Sequence, residues 1–103
     1  MKTISSQRHI DESIVEQKIA NEDYDVMVSP EFVHDDTTMR IVIDGHHSLA
    51  AAQATGNAPN FVEATSQNSD SIGILLRGEI DYFLAINRID ANYYDIETGK
   101  DIW

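Results

Sequence analysis

Residues 41–56 read IVIDGHHSLAAAQATG. A run of branched apolar residues ends in an acid, a glycine and two histidines, then passes into alanines and closes on a second glycine. Branched apolar residues favour a strand, alanine has the highest helix propensity, and Gly56 followed by Pro59 is a helix stop. The stretch therefore predicts a strand over 40–44, a turn at Gly45 and a helix over 46–55. At such a turn the first helical amides lack intrahelical partners and sit at the positive end of the helix dipole, where an anion is favoured. Gly45 would let a ligand approach the backbone closely, and His46 and His47 can donate to phosphate oxygens. Asp44 has two alternatives: it caps the helix itself, or it turns outward and holds a metal that bridges the phosphates.

Outward from this stretch the pattern predicts a small α+β domain. DESIVEQKIAN reads as a helix that Asp11 can cap, with Ile14, Val15, Lys18 and Ile19 on one face. DVMVSPEFV alternates as a strand in which Pro30 is either a break or the mark of an edge, and HDDTTM is a polar turn. Phe61 to Ala64 forms a further short strand, and TSQNSDS is a connection rich in turn-forming residues. IGILLR and IDYFLAINRI read as two β-rich runs about Gly78-Glu79. NYYDIETGKDIW predicts a C-terminal β-hairpin, with Tyr94-Asp95-Ile96 and Asp101-Ile102-Trp103 flanking Thr98-Gly99 and the chain ending inside a strand. Strand alternation would place Tyr82 and Phe83 on opposite faces, and likewise Tyr93 and Tyr94. The expectation is a small mixed sheet with two or more helices on it, in a single domain over 1–103.

Composition narrows the function. The 103 residues suit one hydrophobic core, and 42% of them are hydrophobic, the level of a globular chain. There is no cysteine, which excludes disulfides, thiolate catalysis and cysteine zinc sites. Eighteen acids against seven bases give a formal charge of -11. The excess is even along the chain, -6 over residues 1–50 and -5 over 51–103. Such a field repels a phosphate backbone, so nucleic acid is disfavoured as a partner and an acidic surface facing a protein is admitted. No apolar run is long enough to span a bilayer, and MKTISSQRHIDES lacks the apolar core of a secretory signal, so the expected setting is cytoplasmic with no membrane partner.

The residues IDGHHSLAAAQATG, with ESIVEQKIANEDYDVMVSPEFVHDDTTMR before them and APNFVEA after, resemble the DGHHR-type signature of ParB-like domains in the ParB/sulfiredoxin-like superfamily. The resemblance is strongest over residues 4–64. It implies a ParB/sulfiredoxin-like fold that binds a nucleoside triphosphate with Mg²⁺; relatives include segregation proteins, nucleases, ATPases and small-molecule kinases. Carried onto this chain, Gly45, His46, His47 and Ser48 would hold the phosphates and Asp44 the metal. Glu12, Asp44 and His47 would be the catalytic candidates, Glu12 as a base. Ser48 departs from the family, which usually has arginine there. A hydrogen bond made by a charged group is worth about 1.5–3 kcal/mol, so the serine implies weakened binding and weak or lost phosphotransfer, ATPase or nuclease activity. The alternative is a catalytically silent acidic protein-interaction or inhibitory factor.

Overall fold

The computed structural model describes all 103 residues. In chain order the elements are β1 (Lys2–Ser5), α1 (Glu12–Ala20), β2 (Asp25–Val28), β3 (Phe32–His34), β4 (Thr37–Asp44), α2 (His46–Thr55), β5 (Asn60–Glu63), α3 (Ser71–Leu76), α4 (Ile80–Ile86) and β6 (Tyr94–Asp95). The strands form one mixed six-stranded sheet ordered β5-β2-β4-β1-β6, with β3 also paired to β4. The chain is thus an α+β fold with a small mixed sheet, and it has four helices.

β4 is the centre of the sheet, and its alternation separates two cores. Met39, Ile41 and Ile43 turn to one face, where they meet Ile4, Phe32, Ile72, Leu75, Phe83 and Leu84. Val42 turns to the other and packs with Val26, Val28 and Leu49. α3 and α4 therefore cover the first face and α2 the second, with α1 packed on α2. On α2, Ala51 and Ala52 are fully buried, their small side chains allowing close approach. The expected apolar face of α1 contributes only Val15 to the buried set, while Ile14, Lys18 and Ile19 stay partly open.

Pro30 divides DVMVSPEFV as its missing N–H requires. β2 and β3 each pair with a different part of β4, Val28 with Val42 and Phe32 with Met39. Between them Ser29 repairs the ladder: its N–H donates to the Ile41 carbonyl at 2.8 Å, and its hydroxyl oxygen accepts from the Ile41 N–H at 3.0 Å. The polar turn is tighter than HDDTTM suggested. Asp35 and Asp36 alone make it, both left-handed at φ 50° and 61°, and Thr37 to Met39 already belong to β4.

Two sequence expectations are overturned on the C-terminal side. IGILLR and IDYFLAINRI are helical, as α3 and α4. Ile72 and Leu75 are three apart and both buried, and Phe83 and Leu84 are adjacent and both buried. That arrangement suits a helix packed on a sheet and breaks strand alternation. Tyr82 and Phe83 do divide between surface and core, at 56% and 0% exposure, but by rotation around a helix. Tyr93 is buried and Tyr94 half-buried, its hydroxyl donating to the Gln7 carbonyl at 2.6 Å.

β6 is two residues long and antiparallel to β1. Beyond it the Gly99 N–H donates to the Asp95 carbonyl at 2.7 Å, and Tyr94 bridges Asp101. Ile96, Ile102 and Trp103 lie outside any strand, so the chain does not end inside one. Trp103 instead lays its ring edge-on to His34 and Tyr93 and donates from its indole nitrogen to Asp35 at 3.2 Å.

Candidate functional site

β4 ends at Asp44, and Gly45 turns the chain into α2 at φ 90°. A Cβ on Gly45 would lie 2.6 Å from the Asp25 carbonyl oxygen, a contact no real Cβ makes. Glycine is required there by the passage of β2 beneath the turn as well as by the left-handed backbone. Gly45 is also the N-cap, and no side chain caps α2. The alternative in which Asp44 caps the helix fails for a geometric reason. It stands one residue before the cap, and its Oδ1 accepts from the Gly45 N–H at 2.7 Å instead. The first turn of α2 is left without a side-chain acceptor for its amides.

The two histidines diverge, as neighbours on a helix must. His46 is buried, with Nε2 2.8 Å from the Ser5 hydroxyl. That hydroxyl accepts from the Gln7 N–H at 3.1 Å, leaving its proton for a neutral imidazole. Burial holds the His46 pKa below its ordinary value, with partial opposition from the charges of Asp44 and Asp90. His47 Nε2 accepts from the Asp11 N–H at 3.1 Å, tying α2 to the cap of α1. Asp11 accepts from the Ser13 hydroxyl at 2.7 Å and the Ser13 N–H at 2.9 Å, and these bonds hold its carboxyl below the usual carboxylate range.

Around this turn lies an open cleft with two lobes that share Lys18, Asp44 and Gly45. One, of about 370 Å³, adds Asp23, Asp25 and Ser48, with Met27 and Val62 as its apolar lining. The other, of about 360 Å³, adds Gln7, Ile14, His46 and His47. Lys18 reaches in from α1, and its Nζ donates to Asp23 Oδ2 at 3.0 Å. Ser48 is almost wholly buried and donates to Asp23 Oδ1 at 3.3 Å. Lys18 first, then the Asp25 N–H, lowers the Asp23 pKa. Asp25 accepts from the Asn60 side-chain amide at 2.8 Å.

The five residues Asp44, Gly45, His46, His47 and Ser48 are thus brought together on one turn, all lining the cleft. Glu12 is not among them: it is exposed at the start of α1 and lines neither lobe. Three site residues escaped the sequence reading of the signature. Lys18 carried a signal, since a lysine in the apolar stripe of a helix is out of place. Asp23 and Asp25 carried none, because only the pairing of β2 with β4 brings them alongside the turn.

One lysine faces three carboxylates here, so a bare anion is opposed and a cation, or an anion carrying one, is admitted. No three histidine or acidic side chains converge as a ready metal cage. A divalent ion held by one or two carboxylates together with phosphate oxygens needs no such cage, and Asp44, with one carboxylate oxygen spent on Gly45, fits that role. No family model, curated protein or solved structure matches the chain.

Proposed function

We propose that the cleft at the start of α2 binds a phosphate-bearing ligand of the nucleotide class together with Mg²⁺, as in the ParB/sulfiredoxin-like domains whose signature DGHHS resembles. One observation carries the proposal: the N-terminus of α2 has no side-chain cap, and it opens on a cleft spanned by Lys18. The amides of the first turn would meet the phosphate oxygens, and Lys18 would supply the positive charge that Ser48 lacks. Asp44 would hold the cation, whose charge offsets Asp23 and Asp25. The ParB/sulfiredoxin-like assignment of the fold and its C-terminal β-hairpin belong to the same proposal.

Binding is better supported than turnover. Glu12, the candidate base, is outside the cleft, and the Nε2 of His47 is occupied by the Asp11 amide. Nor do Ser48, His47 and Asp44 form a nucleophilic triad, since Ser48 bonds to Asp23 and Asp44 to Gly45.

Titration of the chain with ATP, CTP and GTP, with and without Mg²⁺, followed by amide NMR, tests the proposal. Shifts should begin at Gly45 to Ser48 and require the metal. Lys18→Met, which removes the one cation of the cleft and keeps the length of the side chain, should weaken binding by about tenfold. Shifts confined to the C-terminal segment, or none at millimolar nucleotide, would refute it.

A second reading, a silent acidic factor that engages a protein, is favoured by the three carboxylates Asp23, Asp25 and Asp44 at one mouth. They would receive a basic side chain of the partner. Under it, Mg²⁺-nucleotide leaves the Gly45 amide unshifted and a lysine-rich peptide shifts it.

A further inference from the structure

Residues 6–11, which join β1 to α1, form no regular structure, and Gln7 among them lines the same lobe of the cleft as His46 and His47. With no ladder to join, the backbone N–H groups of this segment go to side chains. Gln7 donates to the Ser5 hydroxyl at 3.1 Å, Arg8 and His9 to the Asp90 carboxylate at 2.7 and 3.2 Å, and Asp11 to His47 Nε2 at 3.1 Å. The bond to His47 is the last tie before α1 begins.

These acceptors respond differently to pH. A hydroxyl accepts at any pH. The amides of Arg8 and then His9 hold the Asp90 carboxyl below the usual carboxylate range, so it stays ionised in mild acid. An imidazole accepts through a ring lone pair that its own protonation removes, and both its nitrogens are then donors. Two N–H groups would face each other across 3.1 Å, so the bond from Asp11 cannot outlast the proton. A new bond is within reach. Both Ser13 donors use Asp11 Oδ1, which leaves Oδ2 for the imidazolium and keeps the cap of α1. Of the charged groups around His47, Asp11 and Asp44, at the end of β4, attract its positive form, while Lys18 on α1 and a charged His46 repel it.

We propose that His47 is a proton-operated latch on residues 6–11. Neutral, it fixes the Asp11 backbone to α2 and holds the segment against the cleft. Protonated, it moves its hold to the Asp11 side chain and frees the segment at its α1 end. The lobe that Gln7 borders is thereby closed at neutral pH and loosened in mild acid. The latch belongs to the free chain and does not depend on what the cleft binds.

NMR of the free full chain between about pH 8 and about pH 5, following the histidine rings and the amides together, tests this. The Asp11 amide should shift along the same curve as the His47 ring. Its protection from solvent exchange, corrected for the intrinsic rate at each pH, should fall by about fivefold, the loss of one hydrogen bond, while Ser13 keeps its own. His47→Gln, whose side-chain oxygen accepts at any pH, should abolish the transition at Asp11. His9→Gln, two residues from the reporting amide, should leave it in place. An Asp11 amide as protected at about pH 5 as at about pH 8 in the unmodified chain would overturn the proposal. So would a transition that survives His47→Gln, or one that disappears in His9→Gln.

Discussion

At Gly45 one absent carbon decides whether β4 can turn into α2. Both the left-handed φ and the 2.6 Å approach to the Asp25 carbonyl oxygen oppose any side chain, and that oxygen belongs to backbone that cannot swing away. Gly45→Ala should therefore cost about 2–3 kcal/mol, measured by urea denaturation, whether or not a ligand binds. A variant as stable as wild type would show that the turn relaxes. His46, next in the chain, makes stability depend on pH. Its buried ring is held neutral when folded, so as pH falls below about 6.5 the unfolded chain takes up a proton first. Stability should decline from that pH downward until the folded ring also protonates, and His46→Gln should flatten the decline. The carboxylates of Asp11, Asp23 and Asp90 act lower, since their pKa values are depressed. What they contribute is present above about 4 and lost as pH falls through their folded values. A profile flat between about 6.5 and 4 in the wild type would count against the neutral buried ring.

At the scale of elements, the strongest local signals sit where neighbours in sequence decide the structure. Asp11 caps α1, Pro30 parts β2 from β3, Gly56 closes α2 in a left-handed conformation, and the Asp35-Asp36 pair makes its turn. α3 and α4 were not legible in this way. With six and seven residues, they are too short to display a helical period, and their isoleucines and aromatics favour strands when packing is left out. Packing reverses that preference. Leu84 separates the two readings, because alternation would set it on the exposed face with Tyr82, whereas the helix buries it beside Phe83. Leu84→Ala should cost about 2–4 kcal/mol and Phe83→Ala about 3–5 kcal/mol, against about 0.5 kcal/mol for Tyr82→Ala. A Leu84→Ala chain as stable as Tyr82→Ala would return the segment to a strand.

Across the whole molecule, charge governs the choice of partner. Seven bases among eighteen acids release few counterions from DNA, and Lys18, Arg8 and Arg77 are each already paired with an acid at 3.0 Å. No duplex binding is expected with micromolar protein at about 150 mM salt, where even suitably charged non-specific binders reach only about 10⁻⁴–10⁻⁶ M. Submicromolar binding by anisotropy would reverse that expectation. No helix is long and apolar enough to cross a membrane.

The sequence by itself determined the strand-turn-helix at Asp44 to Thr55, the cap at Asp11 and the charge of the molecule. Each depends on covalent geometry or on neighbours within a turn, and so is written locally. Only the tertiary structure decided how the signature is used. It committed His46 to Ser5, 41 residues away, and His47 to the α1 cap, and it brought Lys18, Asp23 and Asp25 to the mouth of the cleft. It also made helices of two strand-like runs, because the face of β4 that carries Met39 and Ile41 had to be covered. Burial and pairing between residues far apart in the chain outweigh preferences worth a fraction of a kcal/mol each, and those pairings exist only once the sheet has formed.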